Sequence, residues 1–274
     1  MRRVVTAALA GTAALAAGAG LATGCGGGDA AQDDRARVEG YVERANVVQR
    51  RAQPRIDAAN ATYEAWAKRT LKGAEAELAL RQAELDLAGV EQELAALRPP
   101  EPARELHRRL LRTYELRIGL AAETRAMAGY VPRAERALAG LNRVRTRLRD
   151  RLRDARTAPQ QVAALTAYGA RLAAVQARLE RLEVPPVLTP THRSQVARLR
   201  ETRALATRLA RAIARKDAAR VAKLLRVFRQ AGGPDPVGDR LAEGAIAAYQ
   251  QRVARVGLAT GAVQREQARL IARR

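Results

Sequence analysis

The chain has 274 residues, with 50 Lys+Arg against 28 Asp+Glu and a formal net charge of +22. One Cys, two His, a single Ser (Ser194) and 3% aromatic residues exclude an internal disulfide and a cysteine-built zinc site, and leave almost no nucleophile–base stock. Such a chain holds one large or two small domains, without a large aromatic-filled core.

Met1-Arg2-Arg3 is a short positive segment, and Val4 to Ala22 is uncharged and rich in Ala, Leu and Gly. This pattern reads as an export signal, set apart from the fold. A retained transmembrane helix is the alternative, since the stretch is just long enough to span. Ala and Gly, however, insert weakly. Leu21-Ala22-Thr23-Gly24-Cys25 then runs into glycines. The segment resembles a bacterial lipoprotein signal, in which a lipobox of small residues ends in a cysteine. Thr23, Gly24 and Cys25 match it, whereas Ala22 stands where an aliphatic residue is usual. The resemblance implies cleavage before Cys25, lipidation of Cys25, and anchoring to the outer face of the cell membrane. A plain secretory signal with an incidental Cys is the other reading. Residues 1–24 are expected to be a signal peptide and 25–35 a flexible tether.

From there the pattern is helical throughout. Val38, Val42, Ala45, Ala52, Ile56, Ala59, Tyr63 and Trp66 fall on alternating three- and four-residue steps, with Gln49 the one polar miss. Pro54 keeps the register, which predicts a kink and not a stop. Lys72-Gly73 is expected to end this helix. A second helix carries Leu80, Ala83, Leu87, Val90, Leu94 and Leu97, and is stopped by Pro99-Pro100. The next is expected from near Pro102 to about Arg156. Later helices are expected at about 159–183, 191–215 and 216–230. Gly232-Gly233-Pro234-Asp235-Pro236 reads as a loop before a last helix.

An internal repeat underlies this pattern. Leu94-x-x-Leu97-x-Pro99-Pro100 precedes His107, and Leu179-x-x-Leu182-x-x-Pro185-Pro186 precedes His192. The expected fold is all-α, an elongated, mostly antiparallel helical bundle with coiled-coil-like seams. It is built from two related units, 36–156 and 157–274. The Cys-ended signal, Tyr41-Val42-Glu43-Arg44-Ala45-Asn46 and the Leu-Pro-Pro-to-His elbow together resemble uncharacterised helical lipoproteins of high-GC actinobacteria. That resemblance implies an envelope location and no activity.

The two His are the sharpest candidates for chemistry. On helical spacing His107 shares a face with Leu111, Tyr114, Ile118 and Ala121, and His192 with Val196, Leu199, Ala206 and Ala210. Each is read as structural, its imidazole N–H meeting a carbonyl freed by the elbow. The ferritin-like metal pattern needs Glu three residues before His. Arg104 and Thr189 stand there, so neither metal nor cofactor is expected. No P-loop, nucleophile elbow or Rossmann glycine pattern occurs, so no catalytic residue is assigned.

Charge is unevenly spread. Residues 71–97 carry six acids and two bases, and residues 101–156 carry fifteen bases and seven acids. These stretches are expected to lie side by side and partly neutralise each other. Residues 187–231 hold twelve bases and only two acids. Arg193, Arg200, Arg208, Arg211 and Arg215 fall within an arc of roughly 80° on a helical wheel, opposite the apolar seam. The simplest reading is a solvated face. The functional reading is a docking surface for anionic phospholipid, an acidic cell-wall polymer or an acidic protein. Nucleic acid is not expected, because of export and the lack of interleaved aromatics. The sequence therefore points to a non-enzymatic, lipid-anchored helical scaffold or binding module. The alternative is an extracytoplasmic small-molecule or metal-binding protein using the bundle interior.

Overall fold

The computed structural model describes residues 29–231, 233 and 235–272. The expected signal peptide and Cys25 lie outside these residues. The described chain forms α1 (Asp29–Ala67), α2 (Gly73–Ala95), α3 (Arg104–Leu138), α4 (Leu141–Asp154), α5 (Ala158–Glu180), α6 (Thr189–Ala214), α7 (Ala218–Ala231) and α8 (Pro236–Ala272). Among the described residues there is no strand, and the fold is an all-α helical bundle. None of these helices is long and apolar enough to cross a membrane.

Local chemistry accounts for the helix ends. At each double proline a short 3-10 turn, Glu101–Ala103 after Pro100 or Pro186–Leu188 starting on the second proline, leads into α3 or α6. A prolyl nitrogen has no proton to donate, so α2 and α5 stop before these turns. At the start of α5, the Gln160 amide donates to Thr157 Oγ1 at 3.4 Å, and Gln160 Oε1 accepts from the Thr157 amide at 3.1 Å. This reciprocal cap satisfies two otherwise orphan donors. Pro54 sits inside α1 without ending it. Three expected boundaries shift. α1 reaches back to Asp29, so part of the expected tether is helical; Arg37 pairs with Asp33 and Asp34, each at 3.6 Å, across that first stretch. α1 ends at Ala67, ahead of Lys72-Gly73, in a turn where Arg69 takes a positive φ of 60°. The helix expected to reach Arg156 breaks at Ala139-Gly140, dividing α3 from α4.

The chain divides into two compact units, but not at residue 156. The first comprises the described parts of Met1–Ala128 and Ala248–Arg274, and the second comprises Gly129–Ala247. In the first, α1 buries Tyr41, Val42, Ala45, Ala52, Ile56, Ala59 and Tyr63 against Leu80, Leu87, Val90 and Leu94 of α2. Leu106, Leu110 and Tyr114 of α3 and Val263 and Leu270 of α8 complete that core. Polar contacts also hold α8 to this unit. The Tyr249 and Thr124 hydroxyls are 2.8 Å apart, and Arg252 pairs with the buried Glu123.

In the second unit Tyr130 and Ala134 at the end of α3, Leu148 of α4, Leu165, Leu172 and Leu179 of α5, and Leu199 and Leu209 of α6 share one core. α7 lies on it through the half-buried Val221, Leu224, Leu225 and Phe228, with Phe228 edge-on to Tyr168 at 5.9 Å. Sequential helices are neighbours: α4 on α5, α5 on α6, α6 on α7. The expected cut at 156/157 followed the helix that Pro159 opens, read as the start of the second repeat. The cores instead follow the apolar stripes, and the stripe containing Tyr130 belongs with α5 and α6.

Leu94 is fully buried between α1 and α2, whereas Leu85 of α2 is 58% exposed. Leu94→Ala is expected to lower unfolding free energy by about 2–5 kcal/mol through lost contacts and a cavity. Leu85→Ala should stay within about 0.5 kcal/mol. Chemical denaturation of the two variants measures the difference.

Candidate functional site

The repeat places two Tyr–His pairs at equivalent positions. In the first unit the Tyr41 hydroxyl of α1 lies 3.0 Å from His107 Nδ1 of α3. In the second, the Tyr130 hydroxyl of α3 lies 3.0 Å from His192 Nδ1 of α6. Both ring pairs are edge-to-face, at 6.0 and 5.9 Å between centroids and 69° between planes. Each pair ties a unit's leading helix to the helix that follows its elbow. The partner shown for each ring is thus a tyrosine hydroxyl at Nδ1 and not the elbow carbonyl expected for its N–H. The signal for it is in the chain: Gly40-Tyr41-Val42-Glu43-Arg44-Ala45 recurs as Gly129-Tyr130-Val131-Pro132-Arg133-Ala134.

Burial pushes the Tyr41 hydroxyl up to about 12 and raises Tyr130 as well, so both keep their protons at neutral pH. Burial lowers both histidines from the usual imidazole value; Glu180 works against this at His192. The arrangement that suits both groups has each hydroxyl donating to Nδ1 of a neutral imidazole whose proton sits on Nε2. No carboxylate or third histidine completes a site: among the described residues no group of three or more His, Cys, Asp or Glu could hold a metal ion.

The arginine row of α6 is exposed at Arg193, Arg200, Arg208 and Arg211, and at Arg215, which caps the helix. The opposite side of α6 buries Val196, Leu199, Leu205, Ala206 and Leu209. Arg200 meets Glu180 of α5 at 3.4 Å, and the other four have no ion-pair partner among the described residues. Arg220, Lys223, Arg226 and Arg229 on the neighbouring α7 are exposed too. Arg198 departs from this pattern. It reaches Asp235 at 2.8 Å and donates to the carbonyls of Ala231 and Gly233, holding the loop before α8. The Gly238 amide above all, with Arg198, keeps the Asp235 carboxyl below the usual range.

The bases of 101–156 do not behave as one set. On α3, Arg104, Arg108, Arg109 and Arg112 pair with Glu101, Glu105 and Glu115, and Arg125 reaches Glu84 of acidic α2 at 2.8 Å. On α4, Arg143, Arg145, Arg147, Arg149, Arg151 and Arg153 form no ion pair among the described residues, and their neighbour is α5. The expected neutralisation by residues 71–97 is thus seen at Arg125, the pairs of Arg104, Arg108, Arg109 and Arg112 being with acids of 101–115, and it fails for α4. A cleft of about 120 Å³ opens between α4 and α5, and neither histidine lines it.

Compared with known protein families, with characterised proteins and with solved structures, the chain matches none.

Tyr130→Phe is expected to destabilise the second unit by about 1–3 kcal/mol, because it leaves a buried imidazole nitrogen without a partner. Both histidines titrate lower when folded than when unfolded. Their contribution is therefore complete above the unfolded value of about 6.5 and is lost as pH falls through the folded value. Urea midpoints should fall between pH 7.5 and pH 5, and less so for His107→Ala combined with His192→Ala.

Proposed function

We propose that this chain is a non-enzymatic cell-envelope protein, lipidated at Cys25 and acting as a helical scaffold or binding module. Its basic face on α6 would engage an anionic partner. One observation carries the reading. Arg193, Arg208, Arg211 and Arg215 stand exposed and unpaired on the side of α6 opposite its buried seam. Guanidiniums left in solvent without carboxylates repel one another, and an anionic surface relieves that repulsion. The net charge of +22 adds a longer-range attraction. The membrane-side location rests on the signal sequence ending at Cys25 and on its resemblance to lipoprotein signals. A single acyl chain attaches weakly, and a basic face is the kind of second signal that strengthens attachment. Anionic phospholipid, acidic cell-wall polymer and acidic protein all fit this chemistry.

The test uses the full chain with Cys25→Ser. Binding to vesicles containing anionic lipid should exceed binding to neutral vesicles and weaken steeply as the Debye length drops below about 10 Å. Gln at Arg193, Arg200, Arg208, Arg211 and Arg215 should reduce binding by more than about tenfold while keeping helicity. Gln at the ion-paired Arg104, Arg108, Arg109, Arg112 and Arg125 should reduce it much less. Equal loss from the two sets would assign binding to net charge alone. In cells, Cys25→Ser should move the protein out of the membrane fraction in high salt; retention there would contradict the lipid anchor.

A further inference from the structure

We propose that the cleft between α4 and α5 is a second, specific site, and that it binds the phosphate of an anionic lipid headgroup. Arg147 and Arg151 stand one turn apart on α4, and Arg171 meets them from α5. All three are exposed, and none has a carboxylate partner among the described residues. Asp150 and Asp154, the two acids of α4, form no ion pair with them. Three like charges around one hollow repel one another and concentrate positive potential there.

The number of forks favours phosphate over carboxylate. A phosphate monoester, as in phosphatidic acid, offers three unesterified oxygens to three guanidiniums approaching from two helices, whereas a carboxylate has two. The floor argues for an amphiphile. The partly exposed Val144 and Ala167 line it, above the buried Leu148, Ala164 and ring of Tyr168. The Tyr168 hydroxyl is taken up by Arg145. A free phosphate covers none of this apolar surface; the glycerol and first methylenes of a lipid do. The choice of a lipid as carrier rests on the envelope reading above. The arginines and the floor do not involve the α6 face.

The experiment titrates the full Cys25→Ser chain at low salt with dihexanoyl phosphatidic acid, kept monomeric, and separately with inorganic phosphate. The lipid should bind once per chain and about tenfold or more tighter than phosphate. Gln at Arg147, Arg151 and Arg171 together should weaken it about tenfold or more, and Gln at the five α6 positions should not. Ala167→Leu, which narrows the cleft without touching charge, should also weaken it. If that variant loses helicity, the exposed arginine positions decide. Equal weakening by the α6 set, equal affinity for inorganic phosphate, or no stoichiometric binding would each overturn the site. Vesicle binding that persists without monomer binding removes the cleft and keeps the α6 face. Monomer binding that persists without vesicle binding does the reverse.

Discussion

Burial of narrow Ala and Leu seams is the constraint from which the rest of this structure follows. Aromatic residues are only 3% of the chain: Tyr41, Tyr63 and Tyr114 enter one core and Tyr130 and Tyr168 the other, too few rings to fill the space between helices by themselves. The cores are made instead of side chains such as Ala45, Ala52, Ala59, Leu80 and Leu94 in one unit, and Leu165, Leu172, Ala206 and Leu209 in the other. Each small side chain buries little area, so the stabilisation has to be collected along length. Hence helices as long as the 39-residue α1 and the 37-residue α8. A thin seam also leaves most of each helix circumference outside, and that circumference is where the arginines go.

Two polar devices act on this background. The Tyr–His pairs give each unit a directional contact that an Ala/Leu stripe lacks, since apolar contacts tolerate sliding and a hydrogen bond does not. They stand at matched places, and both imidazoles are held neutral by burial. The charges divide the helices further. Five arginines of α3, Arg104, Arg108, Arg109, Arg112 and Arg125, have glutamates within reach, while those of α4 and most of the α6 row do not. Unpaired bases are therefore concentrated in the second unit. The Tyr–His pair and the elbow recur in both units, while their surfaces differ in electrostatic character.

Much of this was legible in the chain itself. The helices, the elbows and most buried positions of α1 and α2 follow from the 3.6-residue period and from proline's missing donor, which act within a few residues. The exposure of the α6 arginines also followed, because a helix with one apolar stripe has one side to turn away. Tyr130 as the partner of His192 was not read, although the Gly-Tyr-Val repeat marked it; the two residues are 62 positions apart. Nothing in the spacing of Arg147, Arg151 and Arg171 announced a shared cleft, since two lie on one helix and the third on its neighbour.

By itself the sequence determined that the described chain is helical, where most of its helices stop, and which stripe of each is buried. It also set the excess of positive charge. Only the tertiary structure decided that α3 contributes its first part to one core and its end to the other, and that the last part of α8 belongs with α1 and α2. It alone decided which arginines have carboxylates. The physical reason is the degeneracy of the seams. Ala/Leu stripes of similar period pack acceptably against many others, so their pairing is settled by specific distant contacts such as Thr124 with Tyr249 and Glu123 with Arg252. Those contacts join residues more than a hundred positions apart, where local periodicity carries no information.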